Sequence, residues 1–132
     1  MPPINIYTIG KAKESWLQEA LAEYEKRLPF TIRWHLCKDD AALAAKIPNT
    51  YIALDPTGTT HTSESFAHWF IQSYPRHFII GGAEGLTPKM RQNAQDLISL
   101  SPLTFTHQLT RLILLEQLYR ATQIDKNTDY HK

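Results

Sequence analysis

Residues 77–88 have the sequence HFIIGGAEGLTP, in which an apolar segment runs into a glycine-rich loop and then into a helix start. His77 to Ile80 is short, apolar and followed by glycine, which is typical of a buried strand. Thr87 is a residue type that caps helices, and Pro88 suits the first helical position. The stretch therefore predicts a strand–loop–helix unit, with a helix that runs to about Leu97.

The same alternation extends in both directions along the chain. Strand-like segments lie at residues 4–9, 31–37, 50–55, 77–80 and 98–101, and helix-like segments lie at 13–28, 40–47, 63–74, 88–97 and 106–124. Residues 56–58 are expected to form a loop. Strands that alternate with helices favour a mainly parallel sheet flanked by helices on both faces. We therefore expect an α/β fold in which residues 1–132 form a single domain.

Composition narrows the class of protein. The chain has 132 residues, 42% of them hydrophobic, and no apolar run long enough to span a membrane. Neither a secretory signal nor an internal disulfide is expected, because the N-terminus lacks an apolar core and Cys37 is the only cysteine. No zinc signature occurs, so no metal is expected. These features predict a cytoplasmic protein with no membrane partner.

The charge balance bears on possible partners. The formal net charge is only +1, whereas nucleic-acid binders are often clearly basic. Any RNA contact would therefore depend on local basic clusters, on a dimer surface, or on the shape of a large folded RNA.

Four segments are candidates for ligand binding, because they follow predicted strands or end the chain, and parallel sheets bind ligands at the carboxyl ends of their strands. The segments are residues 54–58, 80–85, 100–107 and 130–132. The glycine loop has neither the dinucleotide spacing G-x-G-x-x-G nor a P-loop Lys-Ser/Thr pair. A plain strand-to-helix turn is the alternative. Spacing alone predicts a ligand-binding α/β domain and no particular reaction.

Together, these segments resemble one known family. The matching motifs are Leu54-Asp55-x-x-Gly58, Ser63-Glu64-x-Phe66-Ala67, Ile80 to Leu86, Ser99 to Thr104, His107, Arg111, Glu116-Gln117-x-Tyr119-Arg120-Ala121 and Tyr130-His131-Lys132. In order and spacing this series is similar to the ribosomal RNA large-subunit methyltransferase H family, within the SPOUT methyltransferases. The resemblance covers nearly the whole chain and is most specific from Leu54 onward.

The resemblance implies a fold, a reaction and partners. The implied fold is a SPOUT-type parallel sheet with a trefoil knot near the C-terminus, and the implied assembly is a homodimer. The implied reaction transfers a methyl group from S-adenosyl-L-methionine to N3 of a pseudouridine in large-subunit (23S) ribosomal RNA, within the assembled ribosome. A catalytically silent relative that binds RNA or ribosomes during assembly is one alternative. An unrelated nucleotide-binding α/β enzyme is another.

The resemblance also implies roles for individual residues. The expected cofactor-binding residues are Leu54, Gly82, Pro102, Leu103, Thr104, Phe105, Thr106 and His107. The resemblance links Tyr130 and His131 to catalysis or RNA binding. From side-chain chemistry we expect three catalytic residues: Tyr130 would stack on the base, His131 would accept its proton, and Arg111 would offset negative charge. Lys132 and Arg120 are expected to contact RNA. The alternatives without a functional role are a frayed chain end and an Arg120 that only pairs with Glu116 one helical turn away.

The chain departs from the family pattern in three places, and its last helix has two possible explanations. The segment between Cys37 and Thr50 is shorter than in typical family members, which indicates a trimmed early helix. In addition, Thr106 stands where proline is common, and Asp129 precedes Tyr130 where proline or alanine is usual. The last helix is apolar all round at Leu112 to Leu115, which fits either deep burial in its own domain or contact with a second subunit.

Overall fold

A computed structural model describes all residues, 1–132, as five strands and five helices. The strands are β1 (Ile4–Ile9), β2 (Ile32–Cys37), β3 (Ile52–Thr60), β4 (His77–Ile80) and β5 (Asp96–Ser99). The helices are α1 (Ser15–Arg27), α2 (Asp40–Lys46), α3 (Ser63–Ser73), α4 (Pro88–Asn93) and α5 (His107–Asp125). No helix has the length and apolar character needed to cross a membrane.

All five strands pair in one parallel sheet with the order β2-β1-β4-β3-β5. This confirms the predicted α/β class. β4 lies between β1 and β3, so the glycine loop that follows Ile80 emerges in the middle of the sheet. The carboxyl ends of β3, β4 and β5 therefore meet at one edge. The knot implied by the family resemblance stays a prediction.

Helices cover the two sheet faces unequally. Side chains alternate between the faces along each strand, so β1 contributes to a core on each side of the sheet. Ile4 and Ile6 of β1 join the larger core, which also holds apolar residues of α1, α3 and α5. Tyr7 joins the smaller core, which includes Leu43 of α2 and Met90 of α4. The second face is thus covered by two short helices only.

The starts of α2, α4 and α5 are capped by side chains, as the sequence predicts for Thr87. The side chains of Asp39, Thr87 and Thr106 accept hydrogen bonds from the backbone N–H groups of Ala42, Met90 and Leu109, at 2.8, 3.2 and 3.1 Å. Each satisfies a donor that the first helical turn leaves without a partner. The predicted positions of these helix starts are confirmed.

Two predicted boundaries are wrong. β3 continues through the expected loop at residues 56–58 to Thr60, after a register shift between Leu54 and Thr59. Gly58 permits this, because a Cβ there would collide with the Leu97 carbonyl of β5. α4 ends at Asn93 instead of about Leu97, because the chain from Asp96 onward pairs with β3.

Candidate functional site

A cavity of about 620 Å³ opens at the carboxyl ends of β3, β4 and β5. Its lining comes from residues 54–56, 80–83, 85–86, 100–101, 103–108 and 110. Cavities of roughly 300–1,000 Å³ suit small-molecule ligands and cofactors. The location is the one expected for ligand binding in an open parallel sheet.

Most of the predicted cofactor-binding residues lie around this cavity. Leu54, Gly82 and residues 103–107 line it, whereas Pro102 is exposed and does not. Leu103 is 70% exposed, so its side chain forms part of the open rim. The structure thus brings together seven of the eight residues, from three separate segments of the chain.

The glycine loop forms one wall of the cavity and leaves no room for larger residues at its start. A Cβ at Gly81 would lie 2.5 Å from the Gly85 carbonyl carbon and 2.7 Å from the Leu86 nitrogen. Gly85 has a φ of +79°, a conformation that only glycine adopts without strain, and its N–H donates to the Gly82 carbonyl at 2.9 Å. The loop therefore folds back on itself and presents backbone to the cavity.

Asp55 also lines the cavity, and the sequence-based assignment of site residues missed it. Its Oδ1 accepts hydrogen bonds from the Thr57 N–H at 2.9 Å and the Thr57 hydroxyl at 2.6 Å. Its Oδ2 lies 3.7 Å from Arg91 Nη1, and its side chain is only 8% exposed. The signals in the sequence were its position directly after Leu54, at the end of a predicted strand, and its place in the motif Leu54-Asp55-x-x-Gly58.

His107 begins α5 at the cavity edge. Burial lowers the pKa of its imidazole, and the nearby charges of Arg111 and Lys13 lower that pKa further. The ring is therefore kept neutral near pH 7. The adjacent Gln108 ties this end of the helix to the loop after β1, because its Nε2 donates to the Lys11 carbonyl at 3.0 Å.

Arg111 lies beneath the site and does not line the cavity. It is 1% exposed, and its Nη2 donates to the carbonyls of Ile9 and Gly10, both at 2.8 Å. These contacts hold the end of β1 against α5. In this conformation Arg111 therefore acts as a positioning residue. For the predicted contact with reacting groups, the residues packed around Arg111 would have to move apart.

The chain end is docked on α5, outside the cavity. The Tyr130 hydroxyl donates to Glu116 Oε2 at 2.8 Å, and the Tyr130 ring meets the edge of Tyr119 at 4.8 Å between centroids. Arg120 Nη1 donates to His131 Nδ1 at 3.0 Å, and its Nη2 donates to Glu116 Oε2 at 2.8 Å. The frayed-end alternative does not describe this conformation, whereas the expected Glu116–Arg120 pair is present.

Residues of α1 and α3 also contact the chain end, residues 130–132, which we call the tail. His131 Nε2 lies 3.4 Å from Glu64 Oε2 at the start of α3, and the Tyr24 hydroxyl lies 3.3 Å from that of Tyr130. Burial, followed by these hydrogen bonds and the charge of Glu116, raises the pKa of the Tyr130 phenol. Lys132 is exposed. Tyr130 and His131 are thus brought together with each other, and not with the cavity of the same chain.

Comparison with known proteins identifies the family. A family model described as "Predicted SPOUT methyltransferase" matches residues 3–131. Ribosomal RNA large subunit methyltransferase H of Protochlamydia amoebophila (strain UWE25) is 46% identical, with both chains covered in full. The protein of the same name from Exiguobacterium sp. (strain ATCC BAA-1283 / AT1b) is 40% identical, over 98% of this chain and 99% of the relative.

A solved structure shows the same fold at low sequence identity. It is a probable methylase family protein from Haemophilus influenzae Rd KW20, with a TM-score of 0.59 and 13% identity. The match covers 94% of this chain and 66% of that one. With the family model and the full-length relatives, the conclusion is that this chain belongs to the ribosomal RNA large subunit methyltransferase H family of SPOUT methyltransferases.

Proposed function

We propose that this protein transfers a methyl group from S-adenosyl-L-methionine to N3 of a pseudouridine in large-subunit (23S) ribosomal RNA, in the assembled ribosome. One observation carries the proposal: the cavity at the carboxyl ends of β3, β4 and β5 is lined by the residues at which the family resemblance predicts cofactor contacts. The relatives' names specify ribosomal RNA of the large subunit as the substrate. That substrate implies action in the cytoplasm.

The residues around the cavity fit this cofactor. The folded-back glycine loop and the loop at 103–107 expose backbone amides and carbonyls that match the donors and acceptors of an adenine. Asp55 supplies a carboxylate for a cationic ligand, and the neutral His107 adds no opposing charge. When bound, the cofactor supplies a methyl group already activated by its sulfonium. The chain's task is therefore mainly positioning, which can contribute on the order of 7–11 kcal/mol.

The chain end supplies the groups that receive the base. Tyr130 stacks on the flipped-out pseudouridine, as aromatic side chains do with unpaired bases, and Lys132 contacts phosphate. His131 accepts the N3 proton. Because Arg120 donates to His131 Nδ1, the neutral ring carries its own proton on Nε2. Nδ1 therefore becomes a free base only when the hydrogen bond from Arg120 is broken, which also frees Arg120 for RNA.

The active unit is a homodimer in which the tail of one protomer serves the cavity of the other. No tail residue lines the cavity of its own chain. The outward side of α5 keeps Leu109, Leu112 and Ile113 only half-buried, which leaves apolar area for a partner. We assign that side of α5 to the subunit contact.

Methyl transfer to ribosomes tests the proposal. Ribosomes from a strain that lacks the modification are incubated with the protein and radiolabelled S-adenosylmethionine, and the RNA is digested to nucleosides. The expected product is one labelled 3-methylpseudouridine per 23S RNA. The His131→Ala variant is expected to be slower by roughly 10²–10⁴-fold.

The contrary results are equally clear. Label in another nucleoside or in ribosomal protein would refute the proposed substrate. Absence of S-adenosylmethionine binding in a calorimetric titration would refute the cofactor, and with it the enzymatic function. Binding of cofactor without any transfer to ribosomes would favour the catalytically silent relative.

A further inference from the structure

The sheet face that carries α2 and α4 is polar near the amino-terminal ends of β2, β1 and β4. The register places Arg33, Asn5 and His77 in one row across these strands, and His35, Tyr7 and Ile79 in the next row. Because side chains opposite each other in a sheet share a face, both rows project from the same side. That side is opposite to the one on which α5 packs.

Part of this face is open, because the covering helices are short. Arg33 is exposed, and Asn5, His35 and His77 are half-buried. α2 has only seven residues, which span roughly 10 Å. This short helix leaves the amino-terminal part of the face without a helical cover. A parallel sheet normally buries both of its faces.

Neutral contacts hold the side chains of this face in place. The Tyr7 hydroxyl lies 3.0 Å from His77 Nδ1, and Asn5 Oδ1 lies 2.9 Å from His35 Nε2. The rings of Tyr7 and His35 stack with centroids 4.3 Å apart and planes at 12°. The surface is therefore ordered and aromatic, and none of these contacts neutralises a charge.

The surrounding charges are all positive. Arg33, Lys46 and Arg76 border the two rows, all are exposed, and none takes part in an ion pair. Apart from burial, the charges that lower the pKa of His35 are those of Lys46, His77 and Arg33, and for His77 the charge is that of Arg76. Asp39 and Asp40 lie at the other end of α2. We define Arg33, His35, Lys46, Arg76 and His77 as the basic patch.

We propose that the basic patch is a second RNA-binding surface, which docks the phosphate backbone of ribosomal RNA away from the methylation site. The inference rests on the proposed function for the identity of the RNA. Arg33 and Lys46 form no ion pair, and the exposed Arg76 guanidinium lies over the Tyr74 ring, 5.8 Å from its centroid. Exposed cations beside the half-buried His35 ring suit phosphates and unstacked bases. The patch also explains how a chain with a net charge of +1 binds a polyanion, since its positive charge is locally concentrated. It stays open in a dimer formed through α5, because it lies on the opposite sheet face.

The test removes two cations that form no ion pair within the protein. In the Arg33→Ala/Lys46→Ala protein, the KM for ribosomes is expected to rise about tenfold or more, with kcat at saturation and the affinity for S-adenosylmethionine unchanged. The slope of log affinity for large subunits against log salt is expected to become shallower by roughly 0.7–0.9 for each phosphate that the variant no longer neutralises. Lys26→Ala/Lys89→Ala removes the same charge from exposed positions elsewhere and serves as the matched control.

The outcomes separate this inference from the proposed function. Equal KM values for the patch variant and the control, with an active wild type, would overturn the patch and leave the function intact. A loss of affinity without a change in the salt slope would overturn phosphate binding and indicate a protein neighbour on the ribosome. If the wild type transfers no methyl group, the binding and salt measurements still decide the patch, since they require no turnover.

Discussion

Removing the phenol hydroxyl of Tyr130 tests whether the chain end is docked on α5. A hydrogen bond to a charged group contributes roughly 1.5–3 kcal/mol when well buried. The Glu116 side chain is 21% exposed and keeps its ion pair with Arg120, so we expect the Tyr130→Phe variant to lose about 1 kcal/mol. For a chain of this size the unfolding midpoint should fall by about 3–5 °C.

Deleting residues 130–132 removes more than that hydrogen bond. The edge contact between the rings of Tyr130 and Tyr119 adds about 0.5–1.5 kcal/mol, and the Arg120 guanidinium over the Tyr130 ring, 4.9 Å from its centroid, adds about 0.5–1 kcal/mol. The truncated protein should therefore be less stable by about 2–3.5 kcal/mol. Thermal and urea unfolding, followed by circular dichroism, measure both losses. Lys132→Ala, at an exposed position, should change stability by less than about 0.5 kcal/mol.

The free energy of unfolding at alkaline pH provides a second test of the hydrogen bond from Tyr130 to Glu116. The pKa of Tyr130 is raised in the folded state, so its contribution to stability is complete below the unfolded value of 10.0 and declines as pH rises above it. The Tyr130→Phe variant should lose less stability than the wild type between about pH 10 and 11. Coincident unfolding curves for wild type, Tyr130→Phe and the truncated protein at neutral pH would refute the docked tail and restore the frayed end.

Three further outcomes test the cavity and the subunit contact. Gly81→Ala should lower stability by about 1–3 kcal/mol and weaken S-adenosylmethionine binding, because its Cβ meets backbone at 2.5 Å, whereas Gly82→Ala meets only the Ile9 side chain at 3.2 Å and should be milder in both respects. Cofactor affinity should fall at acidic pH, because His107, whose pKa is held below its ordinary value, then gains a charge that repels the sulfonium. A His107→Gln protein should lack this pH dependence in calorimetry. Ile113→Asp should give a monomer in light scattering that still binds cofactor, and a stable dimer would contradict the assigned contact.

The fold could be predicted largely because local chemistry and tertiary packing agree in this chain. Thr87-Pro88 marks a helix start by capping alone, and the strand at His77 to Ile80 needs only its apolar run and the glycines after it. Errors arose where a neighbouring strand decided the outcome. Residues 56–58 carry turn-forming residues, yet the strand continues across them, because pairing with β5 resumes at Thr59 and Thr60.

The site was less predictable than the fold, since side-chain direction depends on the assembled helices. The family resemblance indicated the segments that line the cavity, but no pattern indicated that Arg111 bonds inward to the carbonyls at the end of β1. The docking of residues 130–132 on α5 could not be predicted from the sequence either. It depends on Glu116, Arg120 and Glu64, which come from two helices that the sequence alone does not bring together.

The geometry of α5 argues for an active site shared between subunits. His107 lies at the cavity and Arg120 holds the tail. Their separation of thirteen positions corresponds to roughly 20 Å along the helix. A docked tail therefore does not reach the cavity of its own chain. In an antiparallel pair of α5 helices related by a two-fold axis, a crossing point near residue 113 or 114 is midway between His107 and Arg120. Arg120 of one helix then lies beside His107 of the other, so each tail is next to the partner's cavity. Ile113, with its half-buried apolar side chain, lies at that midpoint.

Subunit mixing tests this arrangement directly. Gly81→Ala weakens cofactor binding in its cavity and His131→Ala disables a tail, so each variant alone should be nearly inactive in methyl transfer when S-adenosylmethionine is limiting. In a mixed dimer with shared sites, one site combines the intact cavity of the His131→Ala chain with the intact tail of the Gly81→Ala chain. After unfolding and refolding of an equal mixture, half of the dimers are mixed, and activity should recover to about one quarter of the wild-type value. If each tail serves its own cavity, every site in the mixture carries a defect. No recovery, despite mixed dimers shown by mass spectrometry, would therefore refute the shared site.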